Sequence, residues 1–147
     1  MGPGDDERVI AAGNLFDDSP QKEAVARFLA DPGHHLLIAY HDDVAVGFVS
    51  GVEVTHPDKG TEMFLYELGV DSGHRHHGIG TALLEAVIAE ARAAGKTATI
   101  SVEKFNPAQR LYRRLGFREI AEEGVHWVME CPSALREGTP DDQLNIA

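Results

Sequence analysis

Six consecutive residues, Arg75-His76-His77-Gly78-Ile79-Gly80, have the types and spacing to hold phosphate. A helix start carries backbone N–H groups without intrahelical partners, and the helix dipole adds partial positive charge there. Such an end binds anions. Gly78 and Gly80 lack a Cβ, so a diphosphate can approach their main chain closely. Arg75 adds a permanent cation with forked donors suited to phosphate oxygens. Two common phosphate motifs are excluded. Gly73 and Gly78 have P-loop spacing, but Ile79-Gly80 stands where Lys-Ser/Thr is needed. A dinucleotide fingerprint needs a third glycine at the position that Leu83 occupies.

The elements around this turn must position it. Glu62–Val70 (EMFLYELGV) reads as a mostly buried strand, and Asp71-Ser72-Gly73 breaks it. From Thr81, Leu83, Leu84, Val87, Ile88 and Ala91 fall on one helical face, and Gly95 is the expected stop. The phosphate turn therefore lies between a strand and a helix. Upstream, Arg8–Phe16 suggests a short helix interrupted near Gly13-Asn14. Ser19 suits an N-cap, with Pro20 at the first position of a second helix whose face holds Ala24, Val25, Phe28 and Leu29. His35–Tyr40 and Val44–Val54 read as strands joined by a turn at His41-Asp42-Asp43. Gly47 and Gly51 suggest a bulge or close packing. Thr55–Thr61 reads as a loop. Downstream come a β-branched strand at Thr97–Val102 and a helix capped by Asn106, beginning at Pro107 and stopped by Gly116. Short strands follow near Phe117–Ile120 and Val125–Cys131. The strand–helix–strand–helix unit implies a parallel pair with a right-handed crossover, flanked by antiparallel hairpins. The fold class is α/β with a mixed sheet in a single domain, 1–131, followed by a tail, 132–147, whose lack of periodicity and several charges predict a disordered segment or one draped over a neighbour.

The helix after Asn106 carries a second motif, Asn106-Pro107-Ala108-Gln109-Arg110-Leu111-Tyr112-Arg113-Arg114-Leu115-Gly116-Phe117. Together with R-x-x-G-x-G after a strand ending Leu68-Gly69-Val70, it resembles the signatures of the GNAT superfamily of N-acetyltransferases. Ala108, Leu111, Tyr112, Leu115, Gly116 and Phe117 match the family's NxxAxxLYxxLGF pattern, whereas Phe105 stands at its Asn position and Asn106 is shifted by one. The likeness covers roughly residues 44–129. The family usually begins with a strand. Met1–Arg8 is too polar for a good one, so that strand is absent or the tail from Pro132 compensates.

The resemblance implies acetyl-CoA as co-substrate and a GNAT-like sheet flanked by helices. It assigns cofactor contacts to Leu68, Gly69, Val70, Arg75, His76, His77, Gly78, Ile79, Gly80, Thr81 and Asn106. Tyr112 would lie near the coenzyme sulfur and protonate the departing thiolate; an isolated Tyr on such a helix would read as a core aromatic. Glu67, on the central strand where the acetyl group should lie, is the first candidate for the base, and a solvent-facing or salt-bridged carboxylate is the competing reading. Glu53, Glu62 and Glu103 are lesser candidates. Main-chain N–H groups around Leu68–Val70 would polarise the thioester carbonyl. The acceptor is a primary amine of a small, cationic molecule. The central part looks most like small aminoglycoside N-acetyltransferases, with an N-terminal or lysine acetyltransferase and a non-catalytic acyl-CoA-binding module as alternatives. Asp17 and Asp18 could bind a cationic acceptor or serve as turn residues. Many members pair through late strands, which makes a homodimer one expected assembly.

Bulk properties narrow the classes. The 147 residues suffice for one core, and 43% hydrophobic with 25% charged residues is ordinary for a globule. The net charge of −11 argues against non-specific nucleic-acid binding and favours a cationic substrate, although acidic surfaces also serve solubility. No run is apolar and long enough to span a membrane, and MGPGDDER lacks a secretory core. One cysteine, Cys131, cannot form an internal disulfide, which fits a reducing cytoplasm. His74, His76 and His77 lack Cys or acidic ligands at matching spacing, so no metal is expected. His126 and Trp127 read as core or subunit packing. Asp17–Pro20 and Thr55–Thr61 are the loops expected to set acceptor choice.

Overall fold

The computed structural model describes residues 1–75, 77–133 and 145–147. Helices α1 (Asp6–Ala11) and α2 (Lys22–Ala30) precede strands β1 (His34–His41), β2 (Val44–His56) and β3 (Gly60–Val70). Helix α3 (Ile79–Ala93), strand β4 (Thr97–Glu103), helix α4 (Gln109–Arg114) and strands β5 (Arg118–Glu123), β6 (His126–Cys131) and β7 (Asn145–Ile146) follow. One sheet holds every strand among the described residues, in the order β5-β6-β4-β3-β2-β1-β7. β3 and β4 pair in parallel, as a strand–helix–strand unit requires. The remaining neighbours are antiparallel.

The sheet has two unlike faces. On one, α3 buries Leu83, Leu84, Val87, Ile88 and Ala91 against Leu37, Val49, Met63, Leu65, Ile100 and Met129. On the other, α1 and α2 bury Val9, Val25 and Leu29 against Leu36, Ile38 and Phe48. Strand alternation produces this division, because neighbouring residues of β1 point to opposite faces. Gly47 lets α3 approach the sheet: a Cβ there would lie 2.9 Å from Ile79 Cγ2 and 3.1 Å from Leu83 Cδ1. A bulge or close packing is the expectation at both Gly47 and Gly51; Gly47 is closely packed, and a register shift adjoins Gly51, where β2 meets β3.

Local signals mark most boundaries, with instructive differences. Asp42 and Asp43 both adopt left-handed φ in the two-residue β1–β2 turn, a conformation that Asp tolerates. At the end of α3, the Gly95 N–H reaches Arg92 O and Lys96 N–H reaches Ala91 O, closing the last turn. Residues 55–61 form a tight hairpin rather than a loop: His56 pairs with Gly60 around three turn residues. Ser19 and Pro20 do not start α2, which begins at Lys22 after an extended Gln21. Asn106 Oδ1 accepts from Ala108 N–H at 2.9 Å, and the regular helix begins at Gln109 rather than Pro107.

The chain does not begin with a strand; residues 2–5 form a turn closed by Asp5 N–H to Gly2 O. The outer edge of β1 instead receives segments from both ends. Met1 N donates to Leu36 O at 3.1 Å, while β7 pairs Ile146 with Ala39 and Asn145 with Tyr40. The described end of the tail is thus a strand. Residues 134–144 lie outside the described residues.

Candidate active site

The site begins with one extra residue. Ser50 pairs with Glu67 and Gly51 pairs with Leu65, which leaves Tyr66 as a bulge in β3. A bulge bends its strand and increases the local twist. Up to this point β3 is paired with β4, from Glu62–Thr97 to Leu65–Ile100. Beyond it the two strands part. β3 stays with β2 through Val70–Gly47, and β4 stays with β6 through Glu103–His126. Among the described residues, each therefore presents an edge without a strand partner to the gap between them. The gap is a cavity of about 340 Å³ whose lining includes Leu68, Ser101, Asn106, Tyr112 and His126.

Above the gap β3 leads into α3. Asp71 N–H bonds to Val46 O, and His74 Nδ1 lies 2.8 Å from Asp71 Oδ2, which fixes the intervening turn. Gly78 caps α3 with φ of 77°, a left-handed conformation that suits glycine. Its carbonyl accepts from Ala82 N–H, so the main-chain N–H groups of Ile79, Gly80 and Thr81 have no partner within the helix. The helix starts two residues before Thr81, within the glycine motif itself. Arg75 and His77 are exposed beside this start; His76 lies outside the described residues. The Ile79 side chain is in the core, so it offers a ligand only its main chain. Leu68 and Val70 pack against the α3-side core, and a Cβ on Gly69 would sit 2.6 Å from Phe48 Cε1.

Tyr112 comes from α4, whose six residues turn it inward beneath the gap. The side chain is 7% exposed and stacks edge-on with Phe117, ring centroids 6.0 Å apart. Burial pushes its phenol above the ordinary tyrosine range, which keeps the proton on the oxygen at neutral pH. Tyr66 is raised as well, chiefly by burial and further by the Glu67 charge, with the Ser50 hydroxyl acting the other way.

The carboxylates separate by position. Glu67 lines the gap and makes no ion pair among the described residues. Glu103 lines it too. Glu53 is tied to Lys96, which lowers its pKa, with His35 Nε2 3.4 Å away. Glu62 accepts from Thr99 Oγ1 at 3.3 Å and faces His56 Nε2 at 3.5 Å. The Thr55–Thr61 hairpin begins β3 at Gly60, the end away from the gap. Asp17–Pro20 does reach the site: Asp17 joins Glu67 along a second cavity, and Asp18 and Pro20 line a third. Sequence reading missed His126 as a lining residue. Its only signal is the β4–β6 register that places it opposite Glu103. Among the described residues, no three His, Cys, Asp or Glu side chains converge on a common point. No described helix is long and apolar enough to cross a membrane.

Tyr66 and Glu67 line all three cavities, on both faces of the sheet. The bulge is therefore where a molecule lying in the gap could meet one arriving from the α1–α2 side.

Comparison with known proteins agrees with this geometry. The model of the acetyltransferase (GNAT) family matches residues 6–117. Mycothiol acetyltransferase of Clavibacter sepedonicus is 43% identical over 82 residues, which make up 55% of this chain and 24% of that relative. The matched part is thus about a quarter of the relative's own length. Among solved structures, aminoglycoside acetyltransferase meta-AAC0020 from an uncultured soil metagenomic sample superposes with a TM-score of 0.72 at 20% identity, covering 85% of this chain and 88% of its own. The PaiA N-acetyltransferase of Thermoplasma acidophilum, in complex with coenzyme A, gives 0.66 at 17% identity over 90% and 95%. At these identities the two structures speak for the fold. Because the family match spans the splayed strands, the helix start and Tyr112 together, the chain belongs to the acetyltransferase (GNAT) family.

Proposed function

We propose that the protein transfers an acetyl group directly from acetyl-CoA to a primary amine of a small acceptor. The observation that carries this reading is the junction at Tyr66 and Glu67, shared by the strand gap and the cavities on the opposite face. The coenzyme's diphosphate would rest on the N–H groups of Ile79, Gly80 and Thr81, with Gly78 giving close access and the exposed Arg75 and His77 flanking it. Its pantetheine arm would run along the free edge at Leu68, Gly69 and Val70, with Asn106 across the gap. When bound, acetyl-CoA supplies the acetyl thioester.

The acceptor must lose a proton to attack. Glu67, at the junction, takes that proton directly or through water. A carbon–nitrogen bond forms at the acetyl carbonyl and the carbon–sulfur bond breaks. Tyr112, held protonated by burial, donates its proton to the leaving sulfur. The products are the N-acetylated amine and coenzyme A. Main-chain N–H groups along the free edge of β3 stabilise the oxyanion between these steps. The −11 net charge draws a cationic amine toward the site. Aminoglycosides are the polycationic form of such an acceptor.

Calorimetry and melting with acetyl-CoA test the first half of this reading. At a hundredfold excess over Kd the ligand should stabilise the fold by about 2.7 kcal/mol, a rise in Tm of roughly 5–10 °C. Thiol release across a library of amines, aminoglycosides and peptides tests the second half. No heat and no melting response at millimolar acetyl-CoA would remove the cofactor assignment. Turnover of peptides alone would replace the small acceptor with a protein.

A further inference from the structure

We infer that the acceptor is recognised through an apolar group: it is a small primary amine carried on an aryl or comparably bulky alkyl group. The inference rests on the acetyl-transfer reading above and concerns the cavity under α2. That cavity, about 210 Å³, lies between α2, the segment before it and the sheet. Phe16, Val25, Phe28 and Leu36 build its wall, continuous with the smaller core. Asp18 and Glu67 are the charged side chains on its lining among the described residues. Glu67 is also the residue shared with the strand gap.

Size and chemistry point the same way. An apolar cavity of roughly 150 Å³ takes up benzene, so this one admits an aromatic ring with a short linker. A ring leaves no polar group unpaired against Phe and Leu. A polyamine or an aminoglycoside would bring several ammonium or hydroxyl groups to a lining whose polar side chains are Asp18, Gln21, Ser50, Tyr66 and Glu67, and each group left against Phe16, Phe28 and Leu36 is costly to bury. Two carboxylates suffice for one ammonium. With the ring seated against Phe28 and Leu36, the amine projects toward Glu67, where the acetyl group is delivered.

The test uses the purified full chain with saturating acetyl-CoA and follows thiol release with 2-phenylethylamine, methylamine, spermidine and kanamycin. The expected kcat/KM for 2-phenylethylamine exceeds that for methylamine by about ten- to a hundredfold, the yield of burying one aromatic side chain. It also exceeds the values for spermidine and kanamycin. Ala24, on the cavity lining, is the place to fill it: Ala24→Trp should collapse the ratio of 2-phenylethylamine to methylamine toward one. A readout without turnover accompanies these rates. Titration of 2-phenylethylamine should move the NMR resonances of Val25, Phe28 and Leu36 in the unsubstituted protein. Preference for spermidine or kanamycin, or equal kcat/KM for the ring-bearing and ring-free amines, overturns the inference and leaves acetyl transfer standing. Resonance shifts without thiol release from any amine sustain the cavity assignment and remove acetyl transfer. Neither shifts nor release removes both.

Discussion

The two halves of β3 hold similar residues in opposite circumstances. From Glu62 to Leu65 the strand is paired on both edges, and its carboxylate Glu62 is engaged by Thr99 and His56. Opposite Met63, Glu53 is likewise held by Lys96. From Tyr66 to Val70 one edge is open, and Glu67 faces cavities instead of a partner. One bulged residue separates these regimes. Simple alternation from buried Leu65 would aim Glu67 into the α3-side core, where an unpaired carboxylate is costly. The extra residue returns Glu67 to the face it shares with Ser50. A strand can thus be paired on both edges at one end and open to a cavity at the other, with the change made by withdrawing a hydrogen-bonded neighbour.

The contrast is tested hardest at Tyr112, the side chain beneath the open half. Tyr112→Phe should lower kcat by about a thousandfold, within the range of a lost general acid, while leaving acetyl-CoA binding by calorimetry nearly unchanged. Burial raises the phenol, so its acid form persists above the ordinary value of about 10. The unsubstituted enzyme should therefore hold its rate past that pH before any fall due to Tyr112. An equal kcat for the two proteins across the pH series would return Tyr112 to a packing role.

A paired substitution sharpens the difference between the halves. Glu67→Gln should reduce kcat/KM about a hundredfold, whereas Glu62→Gln, on the same strand, should leave it unaltered. Equal losses in the two variants would mean that the open edge does not decide which carboxylate works.

The smallest effect belongs to the sealed half. Glu53→Gln should destabilise the fold by no more than about 1 kcal/mol in denaturant melts at pH 7, since the ion pair with Lys96 is only partly shielded from solvent. The folded pKa of Glu53 is depressed, first by the Lys96 hydrogen bond. Its contribution is present above the unfolded value of about 4.3 and is lost as pH falls through the lower folded value. The two proteins should then converge in stability in acid, with turnover alike at neutral pH. A stability gap that persists at low pH would point to packing rather than charge.

Much of the scaffold was legible from local pattern. The apolar face of α3, the glycine that ends it, a turn that includes Asp42-Asp43 and the strand before residues 71–78 are all set by residues a few positions apart. The family motifs likewise pointed to Tyr112 and the helix start. Asp17–Pro20 was harder to read. Its cap-like sequence suggested the start of α2, yet Asp18 and Pro20 wall a cavity and the helix waits until Lys22.

By itself the sequence determined the order of most helices and strands, which faces are apolar and where a helix start would stand bare, because each depends on neighbours along the chain; the starts of α2 and α4 and the hairpin at 55–61 were not among them. Only the tertiary structure decided that β3 would bulge at Tyr66, that β4 would leave it there and that His126 would stand opposite Glu103. It also decided that the chain's last residues, rather than its first, would add a strand beside β1. Strand register and partner choice are settled by packing across the sheet between residues far apart in sequence. The cavities that meet at Glu67 are a product of that long-range choice.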